Sequence, residues 1–279
     1  MYKLLAIDLD MTLLDREKKI SQKNKMAIKL AKQKGLHVVL CSGRILKGVM
    51  HFAKVLGLSD EVVVACNGAI VRDLKTNKDV YYIGLDNESS IEIAKICKAN
   101  NIYYHYYYKD IMIAQRLDYS SRFYYEKNKE LPDDEKIEIV VDDSLETIKS
   151  CDNLITKFVI IDKDIEKVDY VRRQIEENVY NIETTKSDVN ILEIMKKGVN
   201  KRNALEYVCS YLKIDKKEVI AIGDNENDLE MIGFAGLGIA MENAIDSLKE
   251  IADYITDSYE NDGVAKAIEK FVLGEMVNA

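Results

Sequence analysis

The sequence is poor in the residues that mark several special architectures. It contains no tryptophan, a single proline (Pro132) and three histidines that show no metal-ligand spacing. Its five cysteines are scattered and include no C-x-x-C pair, which argues against a zinc site and a disulfide framework. No apolar run approaches the ~20 residues of a membrane-spanning helix. The composition therefore indicates a globular protein with no membrane partner.

Positively charged residues are also fewer than negatively charged ones. The 279 residues include 40 Lys plus Arg and 48 Asp plus Glu, a net charge of −8. A nucleic-acid partner is excluded because backbone binding needs a basic face. The early charges of Lys3, Asp8 and Asp10 are unlike a signal peptide, and scattered thiols suit a reducing compartment, so we expect a cytoplasmic protein. The sequence predicts no oligomeric state.

Two stretches of the chain alternate between strand and helix patterns. The first predicts strands at 3–9, 37–41 and 61–65, helices at 22–34 and 45–56, and a hairpin from strands at 69–73 and 80–83. The second predicts helices at 201–212, 226–233, 244–251 and 263–273, with strands at 219–222, 236–240 and 253–256. This alternation is typical of a parallel sheet covered by helices. We expect an α/β fold, a Rossmann-like core in two pieces (1–83 and 191–279) with helices on both faces.

The segment 84–190 has a different pattern. Helices are predicted at 88–99, 144–150 and 164–177, and strands at 102–108, 111–114, 137–141, 155–161 and 179–184. The tyrosines of the first strand indicate a half-buried aromatic strand. We expect an inserted α/β cap domain over residues 84–190.

Polar clusters follow several of the predicted core strands. Asp8 and Asp10 follow the first strand, and Ser42-Gly43-Arg44 follows the second. The strand at 219–222 leads into Gly223-Asp224-Asn225-Glu226-Asn227-Asp228, and Lys201 opens the preceding helix. In open α/β sheets, ligands bind outside the carboxyl ends of the strands. The sequence therefore predicts that these groups meet in one pocket.

The residue types suit phosphoryl transfer. Asp8 and Asp224 are hard oxygen donors of the kind that Mg²⁺ prefers, and a cation would offset the repulsion between neighbouring carboxylates. Asp8 is placed to attack phosphorus, and Asp10 to act as general acid and then base. Ser42, the Gly43 amide and Lys201 would hold the phosphate oxygens.

Taken in order, these motifs resemble those of a known superfamily. The matching residues are Asp8-Leu9-Asp10-Met11-Thr12, Ser42, Lys201 and Gly223-Asp224-x-x-Asn227-Asp228. They resemble the four motifs of the haloacid dehalogenase superfamily, and the large middle insertion resembles its Cof-type, class IIB phosphatases. The fragments N-G-A (67–69) and G-I-A-M-E-N-A (238–244) also resemble family signatures.

The resemblance implies a role for each matching residue. Asp8 would be nucleophile and metal ligand, Asp10 acid/base and a ligand through its carbonyl, and Asp224 the third ligand to Mg²⁺. Phosphate contacts are implied for the Leu9 backbone, Ser42, Gly43, Lys201 and Asn227. Thr12 and Asp228 would support the metal ligands without binding the ion.

Three positions depart from the family pattern. Met11 stands where the family usually has glycine, Arg202 follows the lysine where glycine is common, and Glu242 replaces a frequent glycine. None of these changes removes a catalytic group, so we expect them to affect substrate range and rate rather than reaction type.

The function expected from the sequence is a Mg²⁺-dependent phosphatase. It would hydrolyse small phosphorylated metabolites, such as sugar phosphates, through an aspartyl-phosphate intermediate. A phosphomutase with the same chemistry and a non-catalytic sensor of a phosphorylated ligand remain alternatives. A calcium loop at Asp224 is excluded, because Leu229 and Ala235 occupy the positions that need Gly and Glu. Nothing in residues 84–190 identifies the substrate.

Overall fold

A computed structural model describes residues 1–274, which divide into two compact units. The first comprises Met1–Gly43, Phe52–Val80 and the chain from Asn200 onward, and the second comprises Arg44–His51 and Tyr81–Val199. In the described part of the chain, no helix has both the length and the apolar character needed to cross a membrane.

The elements follow one another with short connections. The strands are β1 (Leu4–Ile7), β2 (His37–Cys41), β3 (Val62–Ala65), β4 (Ile70–Asp73), β5 (Lys78–Tyr82), β6 (Tyr103–Tyr108), β7 (Ile111–Ala114), β8 (Glu138–Val141), β9 (Ile155–Ile161), β10 (Ile182–Asp188), β11 (Ile191–Lys196), β12 (Val219–Gly223), β13 (Leu237–Ala240) and β14 (Tyr254–Ile255). The helices are α1 (Gln22–Gln33), α2 (Leu46–Val55), α3 (Asn87–Ala99), α4 (Tyr119–Lys127), α5 (Leu145–Lys149), α6 (Ile165–Asn178), α7 (Lys201–Leu212), α8 (Leu229–Phe234), α9 (Asp246–Ile251) and α10 (Gly263–Ile268), with a π-helical turn at Glu269–Leu273.

An eight-stranded sheet forms the centre of the first unit. Its order is β14-β13-β12-β1-β2-β3-β4-β5, and β1 pairs in parallel with both β2 and β12. The four residues of β1, Leu-Leu-Ala-Ile, are completely buried, as expected for a strand covered on both faces. The chain order reverses between β1 and β12, which is the position where open α/β sheets bind ligands.

The second unit has two layers. Its sheet has the order β10-β11-β9-β6-β7-β8 and is antiparallel except for the pair β7–β8. Helices α3, α5 and α6 pack on one face through Ile93, Ile148 and Val171, against sheet residues such as Tyr104 and Phe158. Alternation along β6 places His105 and Tyr107 on the opposite face from Tyr104 and Tyr106.

The predicted fold class is confirmed: a parallel α/β core accompanied by a separate α/β unit. Two elements of the second unit were not predicted. Strand β11 pairs with β9 and β10, and it belongs to the second unit, whose longer segment runs from Tyr81 to Val199. Helix α4 buries only Ser121 and has little apolar periodicity. A capping box at Asp118 marks its start, and it has no buried apolar stripe.

Candidate active site

Adjacent parallel strands end together at the candidate active site. The Asp8 amide donates to the Ile222 carbonyl at 3.0 Å, one residue beyond the end of β1, and Asp224 follows the end of β12. On the other side of β1, the Ser42 amide donates to the Val64 carbonyl at 2.9 Å after β2 ends. The sheet thus brings the predicted Asp8, Ser42 and Asp224 to one edge.

Three buried carboxylates form the centre of this site. One oxygen each of Asp8, Asp224 and Asp228 lies within 4.8 Å of the others. The Lys201 Nζ atom donates to Asp8 Oδ1 at 2.6 Å and to Asp228 Oδ1 at 2.7 Å, and its side chain is 0% exposed. Lys201 is the first residue of α7, a helix capped by the Asn200 side chain. With all groups ionised, three negative charges face one positive charge.

The carboxylates differ in how the protein uses their oxygens. Asp228 Oδ1 accepts from Lys201, and its Oδ2 accepts from the amides of Asp224 and Asn225 at 3.0 and 3.2 Å. Asp224 Oδ1 accepts from Thr12 Oγ1 at 2.8 Å. Within residues 1–274, Asp8 and Asp224 each keep one oxygen without a protein donor. Both oxygens of Asp228 are used.

Gly223 permits this arrangement. A Cβ atom at this position would lie 2.5 Å from Cγ of Asp228, far inside van der Waals contact. The absence of a side chain lets the Asp228 carboxylate fold back over the end of β12 and accept the two amides.

Burial controls the protonation of the site. It is the largest cause that raises the pKa of Asp8 and of Asp224, and the neighbouring carboxylates raise both further while Lys201 opposes them. Burial alone would lower the pKa of Lys201, but Asp228 and Asp8 outweigh it and raise this pKa. The lysine is therefore charged, and the carboxylates repel one another.

The turn after β1 carries the remaining predicted acid. Asp10 is partly exposed and forms an ion pair with Lys18 at 2.7 Å, a partner that the sequence analysis did not identify. Met11 has a φ of 62°, the left-handed region that favours glycine, which explains why glycine is usual here in the family. The buried Leu9 closes the turn, because its carbonyl accepts the amide of Leu14 at 2.8 Å.

The residues expected to bind phosphate are linked by an asparagine. Ser42, with Gly43 after it, is buried, and its carbonyl accepts the Asn67 amide at 3.0 Å. Asn227 Nδ2 donates to Asn67 Oδ1 at 3.2 Å. The N-G-A fragment was noted in the sequence, but its asparagine was not placed among the site residues.

The two other departures from the family pattern lie away from these bonds. Arg202 contacts Asn203 Oδ1 at 2.9 Å and stacks over the Phe234 ring at 5.5 Å. Glu242 is exposed.

Comparison with known proteins identifies the family. A family model for haloacid dehalogenase-like hydrolases matches residues 5–268. Two similar Bacillus subtilis (strain 168) proteins are the 5-amino-6-(5-phospho-D-ribitylamino)uracil phosphatases YcsE and YwtE. YcsE is 36% identical over 273 residues, covering 97% of this chain and 96% of its own, and YwtE is 30% identical over 289 residues, covering 98% and 99%.

Solved structures agree with this assignment. A haloacid dehalogenase-like hydrolase from Bacteroides thetaiotaomicron has a TM-score of 0.80 at 31% identity, covering 96% of this chain and 99% of its own. The subclass IIB sugar phosphatase BT4131 shares the fold, with a TM-score of 0.81 at 20% identity and coverage of 96% and 98%.

The chain therefore belongs to the haloacid dehalogenase-like hydrolase family, as its motifs predicted. Within that family it is a phosphatase, the activity for which its full-length relatives are named. The roles of the individual site residues remain predictions.

Proposed function

We propose that this phosphatase hydrolyses small phosphomonoesters in a Mg²⁺-dependent reaction, by transfer of the phosphoryl group to Asp8. The observation that carries the proposal is the buried cluster of Asp8, Asp224 and Asp228 around the Lys201 ammonium. Such a concentration of buried charge is costly for folding and is typical of a functional site.

The donor set fits a divalent cation. Three ionised carboxylates and one ammonium leave an excess of two negative charges, which a divalent ion would balance. Asp8 and Asp224 each offer an oxygen that no group of residues 1–274 occupies, and carboxylate oxygens are what Mg²⁺ prefers. Asp10 would add its backbone carbonyl. When bound, Mg²⁺ would neutralise charge on the phosphoryl group.

Each residue then has a part in the reaction. Lys201 donates to Oδ1 of Asp8, which fixes the orientation of this carboxylate for attack on phosphorus. Asp10, held by Lys18, would protonate the departing alcohol and later deprotonate the water that releases phosphate. The phosphate oxygens would be bound by Ser42, by the amides of Leu9 and Gly43, and by Lys201 and Asn227.

Two groups of candidate substrates should be assayed first. Sugar phosphates are the class expected from the sequence. The names of YcsE and YwtE add 5-amino-6-(5-phospho-D-ribitylamino)uracil, in which a phosphomonoester ends a hydroxylated chain. Both are small phosphorylated metabolites.

The proposal is tested by measuring phosphate release from this panel with Mg²⁺ and with EDTA, for the wild type and Asp8→Asn. The amide keeps the size of the carboxylate but is a poor nucleophile, so release should fall at least a thousandfold, about 4 kcal/mol in barrier. Asp60→Asn is the matched control, because Asp60 is an exposed carboxylate of the same unit that pairs with Lys32.

Metal-dependent release that disappears only in Asp8→Asn would support the proposal. Wild-type rates in Asp8→Asn would exclude Asp8 as nucleophile. An isomeric product without free phosphate would indicate the mutase, and binding without any turnover would indicate the sensor.

A further inference from the structure

The connection between β3 and β4 has an unusual backbone. Cys66, Asn67 and Gly68 all have positive φ angles, of 51°, 56° and 102°. Cys66 and Asn67 are 0% and 1% exposed, whereas hairpin turns normally lie at the surface. Non-glycine residues in this conformation cost about 1–3 kcal/mol each and persist only where their surroundings hold them. Such strain is often found at functional sites.

The turn is held by three segments of the candidate site. The Asn67 amide donates to the Ser42 carbonyl at 3.0 Å, and Asn67 Oδ1 accepts from Asn227 Nδ2 at 3.2 Å. Gly68 lies so close to the start of α7 that a Cβ atom would be 2.3 Å from the Asn200 carbonyl oxygen. The segments that it touches carry Ser42, Asn227 and, next to Asn200, Lys201.

We infer that Asn67 is a positioning residue for the phosphate site. Its side chain orients the carboxamide of Asn227, and its backbone fixes the strand end that carries Ser42. The inference rests on the proposed function, in which Ser42 and Asn227 contact phosphate. A carboxamide has two N–H donors, so the one given to Asn67 leaves the second in a defined direction for a phosphate oxygen.

The residue type matches this task. Asparagine is among the few non-glycine residues that enter the left-handed region readily, and its carbonyl oxygen supplies the acceptor for Asn227. Glycine would adopt the same backbone conformation, but it has no side chain to orient Asn227. A purely structural turn would need only the backbone, so the two explanations separate in an Asn67→Gly variant.

The experiment measures inorganic phosphate binding by titration calorimetry in the presence of Mg²⁺, with KM and kcat on any hydrolysed substrate. The proteins are the wild type, Asn67→Gly, Asn227→Ala and the double variant. Asn77→Gly is the matched control: Asn77 also has a positive φ, of 53°, and its Oδ1 also accepts a side-chain hydrogen bond, from Arg72 at 3.0 Å. It lies in the exposed β4–β5 turn.

We expect Asn67→Gly to bind phosphate about three- to tenfold more weakly, the effect of one lost neutral hydrogen bond, with a matching rise in KM. The double variant should bind no more weakly than Asn227→Ala, because both changes remove the same contact. Asn77→Gly should bind as the wild type does.

Unchanged phosphate affinity in Asn67→Gly, even with a lower melting temperature, would reduce the turn to a structural role and overturn the inference. Additive effects in the double variant would also overturn it. If the wild type binds phosphate but hydrolyses nothing, the proposed hydrolysis fails while calorimetry still decides the role of Asn67.

Discussion

Replacing Lys201 by methionine should lower the stability of the first unit and also weaken its binding of phosphate. Methionine fills a similar volume but leaves the carboxylates of Asp8 and Asp228 buried without the cation that bridges them at 2.6 and 2.7 Å. Removing one partner of a buried ion pair typically costs about 3–5 kcal/mol. Because Asp8 already has a raised pKa and can take up a proton, we expect a loss near the lower end, about 3 kcal/mol.

This loss is large enough to measure by urea unfolding followed by circular dichroism. With an m-value of about 3 kcal/mol/M, the midpoint should fall by about 1 M. The loss should be greater at pH 8 than at pH 5.5. A carboxyl with a raised pKa binds more protons folded than unfolded, so its contribution to stability falls as pH rises, and removing Lys201 raises the pKa of Asp8 further.

Lys157→Met provides the control. Lys157 is a second buried lysine, 1% exposed and 2.5 Å from Glu193, but it lies in the sheet of the second unit. We expect a comparable loss of stability with unchanged affinity for inorganic phosphate, whereas Lys201→Met should lose at least tenfold in affinity. A wild-type midpoint for Lys201→Met, or equal phosphate affinity in the two variants, would refute the reasoning.

Three further predictions concern stability. Asp224→Asn in EDTA should raise the melting temperature by about 2–4 °C, because it removes a repelling buried carboxylate, and should abolish stabilisation by Mg²⁺. Between pH 7.5 and pH 5, the free energy of unfolding of the wild type should fall by about 2 kcal/mol. The His105→Gln variant should not show this fall. Burial and Lys157 lower the pKa of His105 to about 3, so the unfolded state binds the extra proton. Met11→Gly should raise stability by about 0.5–1 kcal/mol, by relieving a left-handed φ of 62°, as read from the urea midpoint.

Each of these predictions has a contrary result. A lower melting point of metal-free Asp224→Asn would mean that the Thr12 hydrogen bond outweighs carboxylate repulsion. Parallel pH curves for wild type and His105→Gln would show that His105 is not forced to be neutral. A destabilised Met11→Gly would show that side-chain contacts of Met11 exceed the backbone strain.

Local patterns were sufficient for the fold class and for the order of the motifs. Apolar runs such as Leu4–Ile7 and Val219–Ile222 are too hydrophobic for any position but a covered strand, and the helices between them force a parallel sheet. Carboxyl ends of parallel strands share an edge, so Asp8 and Asp224 were expected to meet. The family motifs gave the chemistry expected there.

Strand β11 and helix α4 were beyond this reasoning. The alternation in β11 is interrupted by adjacent apolar residues such as Ile191 and Leu192, and only its pairing with β9 and β10 places it in the second sheet. Helix α4 depends on its cap at Asp118 rather than on periodicity. Neither element carries a strong local signal.

The sequence by itself determined which reactive groups the chain contains and at which strand ends they lie. Only the tertiary structure decided how they are paired: Asp228 folded back over Gly223, Lys201 bridging two carboxylates, Asp10 held by Lys18, and Asn67 held in a buried turn against Asn227. The Lys201–Asp8 and Asn67–Asn227 pairings join residues 193 and 160 positions apart, and the raised pKa of Asp8 and Asp224 arises from burial. Burial and long-range contacts exist only once the sheet has assembled, so no local pattern could encode them.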